Sequence, residues 1–171
     1  MIGLIVLRLI HIVAGAFWVG ALVFIAAFLI PAIRATGPAG GAVLRHVTQV
    51  LHLHRYVVTS TWLTLLSGAG LAWRDAGSLG FRWFAEGSGR FYGAGAVLAI
   101  IATVIGFTVN APTAQRLGAL SAAGPSAGRP PSQEELAQIQ DLQARLGRAA
   151  RLVALLLVLA AAAMAVARYA L

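Results

Sequence analysis

LRLIHIVAGAFWVGALVFIAAFLI, residues 7–30, contains two ionisable side chains, Arg8 and His11, and is otherwise apolar or glycine on every helical face. A core helix of a soluble domain keeps a polar stripe toward water, whereas a helix that is hydrophobic all round is buried or lies in lipid. Extended outward, the apolar run covers about residues 2–33. Crossing roughly 30 Å of hydrocarbon takes only about 20 residues at 1.5 Å each. The run is much longer than the roughly 15-residue apolar core of a signal peptide, and no A-x-A site follows it, so a retained membrane helix is expected.

The rest of the chain agrees. Of 171 residues, 60% are hydrophobic and 11% charged, against about 45–50% and about 25% in soluble domains. Further apolar stretches occupy about residues 55–73, 91–111 and 152–171. Backbone polar groups in lipid must bond within their own segment, so helices are expected. The expected fold is all-α: one membrane domain over residues 1–171, a four-transmembrane-helix bundle with a cytoplasmic extension of the fourth helix. The net charge of +8 comes from 13 basic residues that are all Arg. They gather at segment ends, which reads as topology-setting charge and not as a nucleic-acid surface. The absence of Cys removes disulfides, thiolate metal sites and cysteine nucleophiles.

Breakers divide the segments. Pro31 and TGPAGG (36–41) end the first helix, and the second is expected to begin near Ala42 and carry RHVTQVLHLHRY (45–56) into the membrane. The loop DAGSLGFRWFAEGSGR (75–90) holds FRWF (81–84), an interfacial anchor alongside Trp73. The third helix is expected to end at Asn110–Pro112. Residues 112–131, with GALSAAGPSAGRPP at 118–131, read as a flexible linker. Ser132 and Glu135 form an S-x-x-E capping box that starts a long last helix, about 16 residues of which project into the cytoplasm. Arg34, Arg45, Arg55, Arg116, Arg129, Arg145, Arg148 and Arg151 fall on one side. Arg8, Arg74, Arg82, Arg90 and Arg168 fall on the other. The positive-inside rule then gives N-out and C-out. Small residues at Ala16-xxx-Gly20, Ala102-xxx-Gly106 and Ala160–Ala163, with Gly68, Gly70, Gly93 and Gly95, suit close helix packing, within the bundle or in a homodimer.

Ionisable residues within spans mark candidate sites. At 100° per residue Leu4, Arg8, His11, Gly15 and Trp18 share one stripe of the first helix. Gly15 leaves a gap one turn from His11 where a flat group or a neighbouring helix fits. Imidazole is a common ligand for metals and haem iron, and a hydrogen bond to a carbonyl or Thr of another helix is the competing role. His52 is expected on a stripe with Arg45, Gln49, Tyr56 and Thr59, and His54 on a different face. Measured from the intervening loop, His11 stands roughly 34 Å and His54 roughly 18 Å into the membrane, an offset of about 16 Å. That separation disfavours His11 and His54 as two axial ligands of one iron within a single chain.

LRLIHIVAGAFWVGALVF resembles the first helix of CopD-type and HemJ-type bacterial four-helix membrane proteins, in which a His precedes a W-x-G-like sequence. HRYVVTSTWLTLLSGAGLAW looks like their second helix. GFTVNAPTAQRLGAL looks like the end of the third helix in related bacterial families. The resemblance implies a multi-pass protein of the bacterial inner membrane. It implies a haem b-associated redox or haem-handling role, with His11 as metal ligand or porphyrin contact, Arg8 as propionate partner, Gly15 and Trp18 shaping the space, and His52 or His54 as further cofactor contacts. The alternative is a non-enzymatic membrane subunit or copper-type transport component without a cofactor. Its partners would be the bilayer and a second copy or another membrane subunit.

Overall fold

The computed structural model describes residues 2–126 and 132–170, and all regular structure among them is helical. Helix α1 spans Ile2–Ala35, α2 Pro38–Arg45, α3 Leu53–Ala76, α4 Gly87–Leu120 and α5 Gln133–Tyr169. Helices α1, α4 and α5 are long and apolar enough to cross a membrane. Helix α3 has 24 residues, but its apolar content is diluted by Ser60, Thr61, Thr64 and Ser67, which are buried. The structure therefore gives three spans by length and composition where the sequence suggested four.

Prolines do not end the helices as expected. In α1 a π turn, Ile25–Leu29, precedes Ile30 and Pro31, and the helix continues to Ala35. In α4 a π turn, Gly106–Asn110, precedes Ala111 and Pro112 at the same spacing. Proline lacks an N–H and crowds the carbonyl four residues earlier. One widened turn just ahead, closed by Ile30 N–H to Ile25 O and by Ala111 N–H to Gly106 O, moves that carbonyl aside. Helix continues beyond α4 to Ser126, so the expected linker from residue 112 is helical to that point. Residues 127–131 lie outside the described ones.

The second predicted helix is broken instead. After α2 comes a π turn, His46–Val50, and then His52 at φ 50°. This left-handed conformation is uncommon for a residue with a Cβ, although His tolerates it better than most. Arg45 and Gln49 are thereby separated from the helix that bears Tyr56 and Thr59. Helix α5 starts as its sequence requires: Ser132 N–H donates to Glu135 Oε2 at 2.7 Å, and Glu135 N–H donates to Ser132 Oγ at 3.2 Å.

The long helices pack as two pairs, α1 on α3 and α4 on α5, and the pairs are joined where α1 meets α5. Trp18 sits at the junction, 3% exposed, among Ala99, Ala102, Val153, Leu157 and Ala160. Ala26, Ala150 and Ala154 form a second small-residue contact toward the α2 end. The outer surface is apolar, with Ile5, Leu9, Phe28, Leu66, Val104 and Leu155 exposed. Trp73 and Phe81 stand out beside the loop after α3, while Trp83 stacks on Tyr92 at 5.9 Å. Of the expected small-residue motifs, Ala16 and Gly20 face outward with nothing near Gly20. Close approach occurs at Gly95, where a Cβ would lie 2.8 Å from Met164 Cγ and 3.0 Å from the carbonyl of Ala160 in the expected Ala160–Ala163 run, and Ala102 is buried in the core.

Gly95→Val should therefore destabilise the protein by about 1–3 kcal/mol through overpacking. Gly20→Ala, in open space on a helix, should be neutral or gain up to roughly 1 kcal/mol. Unfolding of both variants in one detergent gives the comparison, and equal losses would place the α4–α5 contact elsewhere.

Candidate functional site

The first polar centre lies between α1 and α3. His11 is partly buried, and its Nδ1 is 2.9 Å from Thr64 O and 3.3 Å from Ser67 Oγ. A carbonyl oxygen only accepts, so Nδ1 carries the proton and donates it. In neutral imidazole this leaves a lone pair on Nε2. Ser67 Oγ donates to Leu63 O and lies 3.2 Å from Thr64 O. The buried unpartnered atoms among the described residues are Arg34 Nε, Arg34 Nη2 and Asn110 Oδ1. His11 Nε2, which bonds no described residue, is not among these buried atoms.

Glycine makes the seat. A Cβ on Gly68 would fall 2.8 Å from His11 Cε1 and 3.1 Å from Nδ1. One turn along, a Cβ on Gly15 would fall 3.4 Å from Thr64 Cγ2. The gap that Gly15 leaves is thus filled by α3 and is not open to a flat group. Ser60, Thr61 and Thr64 complete a hydroxyl face. Their side chains donate to Val57 O, Val57 O and Ser60 O at 2.9, 2.8 and 2.7 Å, which satisfies them within their own helix.

The other expected site residues do not converge on His11. Arg8 is exposed. Trp18 is two turns away in the central core. His54 lies ten residues before Thr64 on α3, or about 15 Å along the helix, which matches the offset expected from sequence. The His52 and His54 rings meet each other instead, edge to face at 6.1 Å. Among the described residues no three His, Cys, Asp or Glu side chains are grouped to hold a metal ion.

A second polar centre was not singled out from sequence. The Arg34 guanidinium lies over Gly147 of α5, where a Cβ would fall 2.5 Å from Nη2 and 3.0 Å from Cζ. Its Nε and Nη2 are buried without partners. Asn110 Oδ1, on the π turn of α4 that packs against α5, is buried and unpartnered as well. Arg34 reads in the sequence as ordinary loop charge, and only the Gly147 notch could have signalled its burial. No family model, curated protein or solved structure matches the chain.

The His11 seat is testable by a double-mutant cycle. Gly68→Ala should cost about 1–3 kcal/mol in the wild-type background by overpacking. In a His11→Ala background it should cost close to nothing. Unfolding of the four proteins in detergent measures the coupling, and an unchanged cost without His11 would refute the contact.

Proposed function

We propose that the chain is a multi-pass protein of a bacterial inner membrane, with α3 as a fourth crossing, both termini outside the cytoplasm, and the start of α5 projecting into it. Three helices with the length and apolarity of spans support this. So does the alignment of α3 along α1, from Leu7 against Gly70, through His11 against Gly68, to Gly15 against Thr64. The α3 hydroxyls turn inward, while Trp62, Leu63 and Leu66 face out. The arginine asymmetry supports the orientation. The sequence resemblance to CopD-like and HemJ-like proteins motivates the fourth crossing.

Within that frame the reading is a haem b-associated redox or haem-handling protein. The observation that carries it is the 2.9 Å bond from His11 Nδ1 to Thr64 O. Metal-bound histidines are commonly oriented this way, by donating the other ring nitrogen to a carbonyl. His11 would hold the iron through Nε2, and Arg8, exposed one turn away, would meet a propionate. Bound haem supplies one-electron chemistry. His11 is the residue that would hold the group, through Nε2, and His52 and His54 lie too far along α3 to join it. A second reading has its own support. Gly68 is shaped to the imidazole and Thr64 fills the space at Gly15, which suits His11 as a peg between helices in a non-enzymatic subunit or copper-type transport component.

Purified protein titrated with hemin distinguishes the two. The haem reading expects a saturable Soret band, lost in His11→Ala and kept in His52→Ala and His54→Ala. Wild-type protein that is colourless from haem-replete cells and silent to hemin would leave only the peg. Haem loss from His54→Ala equal to that from His11→Ala would contradict the separation of His54 from Thr64, where His11 meets α3.

A further inference from the structure

We propose that residues 38–51, between α1 and α3, form an amphipathic helix that lies at the membrane interface and is held there by anionic lipid headgroups. The inference rests on the membrane reading above and adds which part of the chain grips the headgroup zone. The starting observation is how this segment leaves the bundle. Gly37, at φ 56°, turns the chain after α1, and His52, at φ 50°, turns it again before α3. Between the two turns, α2 runs into the π turn His46–Val50, closed by Leu51 N–H to His46 O at 3.0 Å. The segment packs chiefly on the end of α1, where a Cβ on Gly40 would collide with Ile33 O. Much of its surface therefore has no protein neighbour.

That surface carries two stripes. Val43, Val47 and Leu51 recur every four residues on one. Arg45 and Gln49 recur at the same spacing on the other, two residues off and so about 200° round. Val43 and Leu51 are exposed, and so are Arg45 and Gln49. Thr48 gives its hydroxyl to Leu44 O at 2.8 Å, so it is satisfied without water. A helix with one apolar and one cationic face lies along a bilayer, its apolar side at the acyl boundary. Carried straight into a crossing helix, Arg45 and Gln49 would enter hydrocarbon, and the break at His52 removes that cost. Charge identifies the lipid. Arg45, His46 and Arg55 are exposed, and no Asp or Glu precedes Asp75. Anionic headgroups attract such a cluster. An acidic soluble protein would meet the arginines but leave Val43 and Leu51 uncovered, and the same face of a second copy would oppose like charges.

The chain has no Cys, so Leu9→Cys, Gln49→Cys and Leu51→Cys, all at exposed positions, each take one environment-sensitive fluorophore. The full chain is reconstituted in vesicles of phosphatidylcholine, with or without phosphatidylglycerol. The quenchers are acrylamide in water and nitroxide-labelled lipid. At Leu51 the lipid-borne quencher should act and acrylamide should be weak, with the reverse at Gln49. Adding phosphatidylglycerol should lower acrylamide quenching at Leu51, and Arg45→Gln should raise it again by about fivefold, the contribution of one arginine at an anionic surface. Leu9 on α1 reports the membrane reading separately and should meet only the lipid-borne quencher. Leu51 open to acrylamide while Leu9 is shielded would overturn the interfacial helix and leave the membrane reading standing. Leu9 open to acrylamide would overturn both. Equal protection of Leu51 in the two kinds of vesicle, or protection without quenching by labelled lipid, as a protein partner or a second copy would give, would each overturn the proposal.

Discussion

Apolar side chains gain little by leaving lipid for one another, so helices such as α1, α4 and α5 are held by how closely their backbones approach. In this chain that distance is set by what is missing from particular positions. Gly95 admits Met164 and the Ala160 carbonyl. Ala99 and Ala102 let α5 approach α4, and Trp18 fills the wedge that remains between the pairs. Gly68 and Gly147 use the same device for polar cargo, one receiving an imidazole and the other a guanidinium. Each glycine weakens its own helix by roughly 0.5–1 kcal/mol relative to Ala, a cost offset only where a partner occupies the space.

The two polar groups seated in this way differ in one respect. His11 gives its Nδ1 proton to a carbonyl of the helix it touches, so the imidazole has a fixed orientation and one free nitrogen. The hydroxyls around it are bonded to their own backbone and leave the seat without an orphan. Arg34 is packed as closely but is not satisfied. An unpaired buried donor costs about 1–3 kcal/mol, and more when charged. The His11 seat is thus complete as it stands, with ligation an added capacity. The Arg34 seat is closed over two donors that it leaves unsatisfied.

The apolar stretches, the all-helical class and the Ser132–Glu135 capping box were legible in the sequence because each depends on local composition or on a spacing of three residues. The separation of His11 from His54 came out close to expectation, although the continuous second helix along which it was measured is broken at His52. The end of the third helix at Asn110–Pro112 was misread because proline was taken as a stop, when a widened turn ahead of it lets the helix continue. The break at His52 carries neither Gly nor Pro to announce it. Thr64, Ser67 and Gly68 could not be matched to His11 from sequence, because that pairing depends on the relative rotation of two helices.

The same π turn that admits Pro31 also decides where Arg34 points. From Trp18, which faces the core, to Arg34 is sixteen residues. At about 100° each, an uninterrupted helix would leave Arg34 about 160° from Trp18, on the outer face, as a snorkelling charge at a helix end. The π turn takes up about one extra residue, and removing that step of about 100° brings Arg34 to about 60° from the Trp18 direction. The burial pattern follows suit: Ala14, Trp18 and Ala26 are buried, Leu22 and Ile30 are partly so, and Arg34 continues the row onto Gly147. The inward guanidinium therefore follows from proline, through a widened turn, to a rotated helix end, and the notch at Gly147 makes room for it.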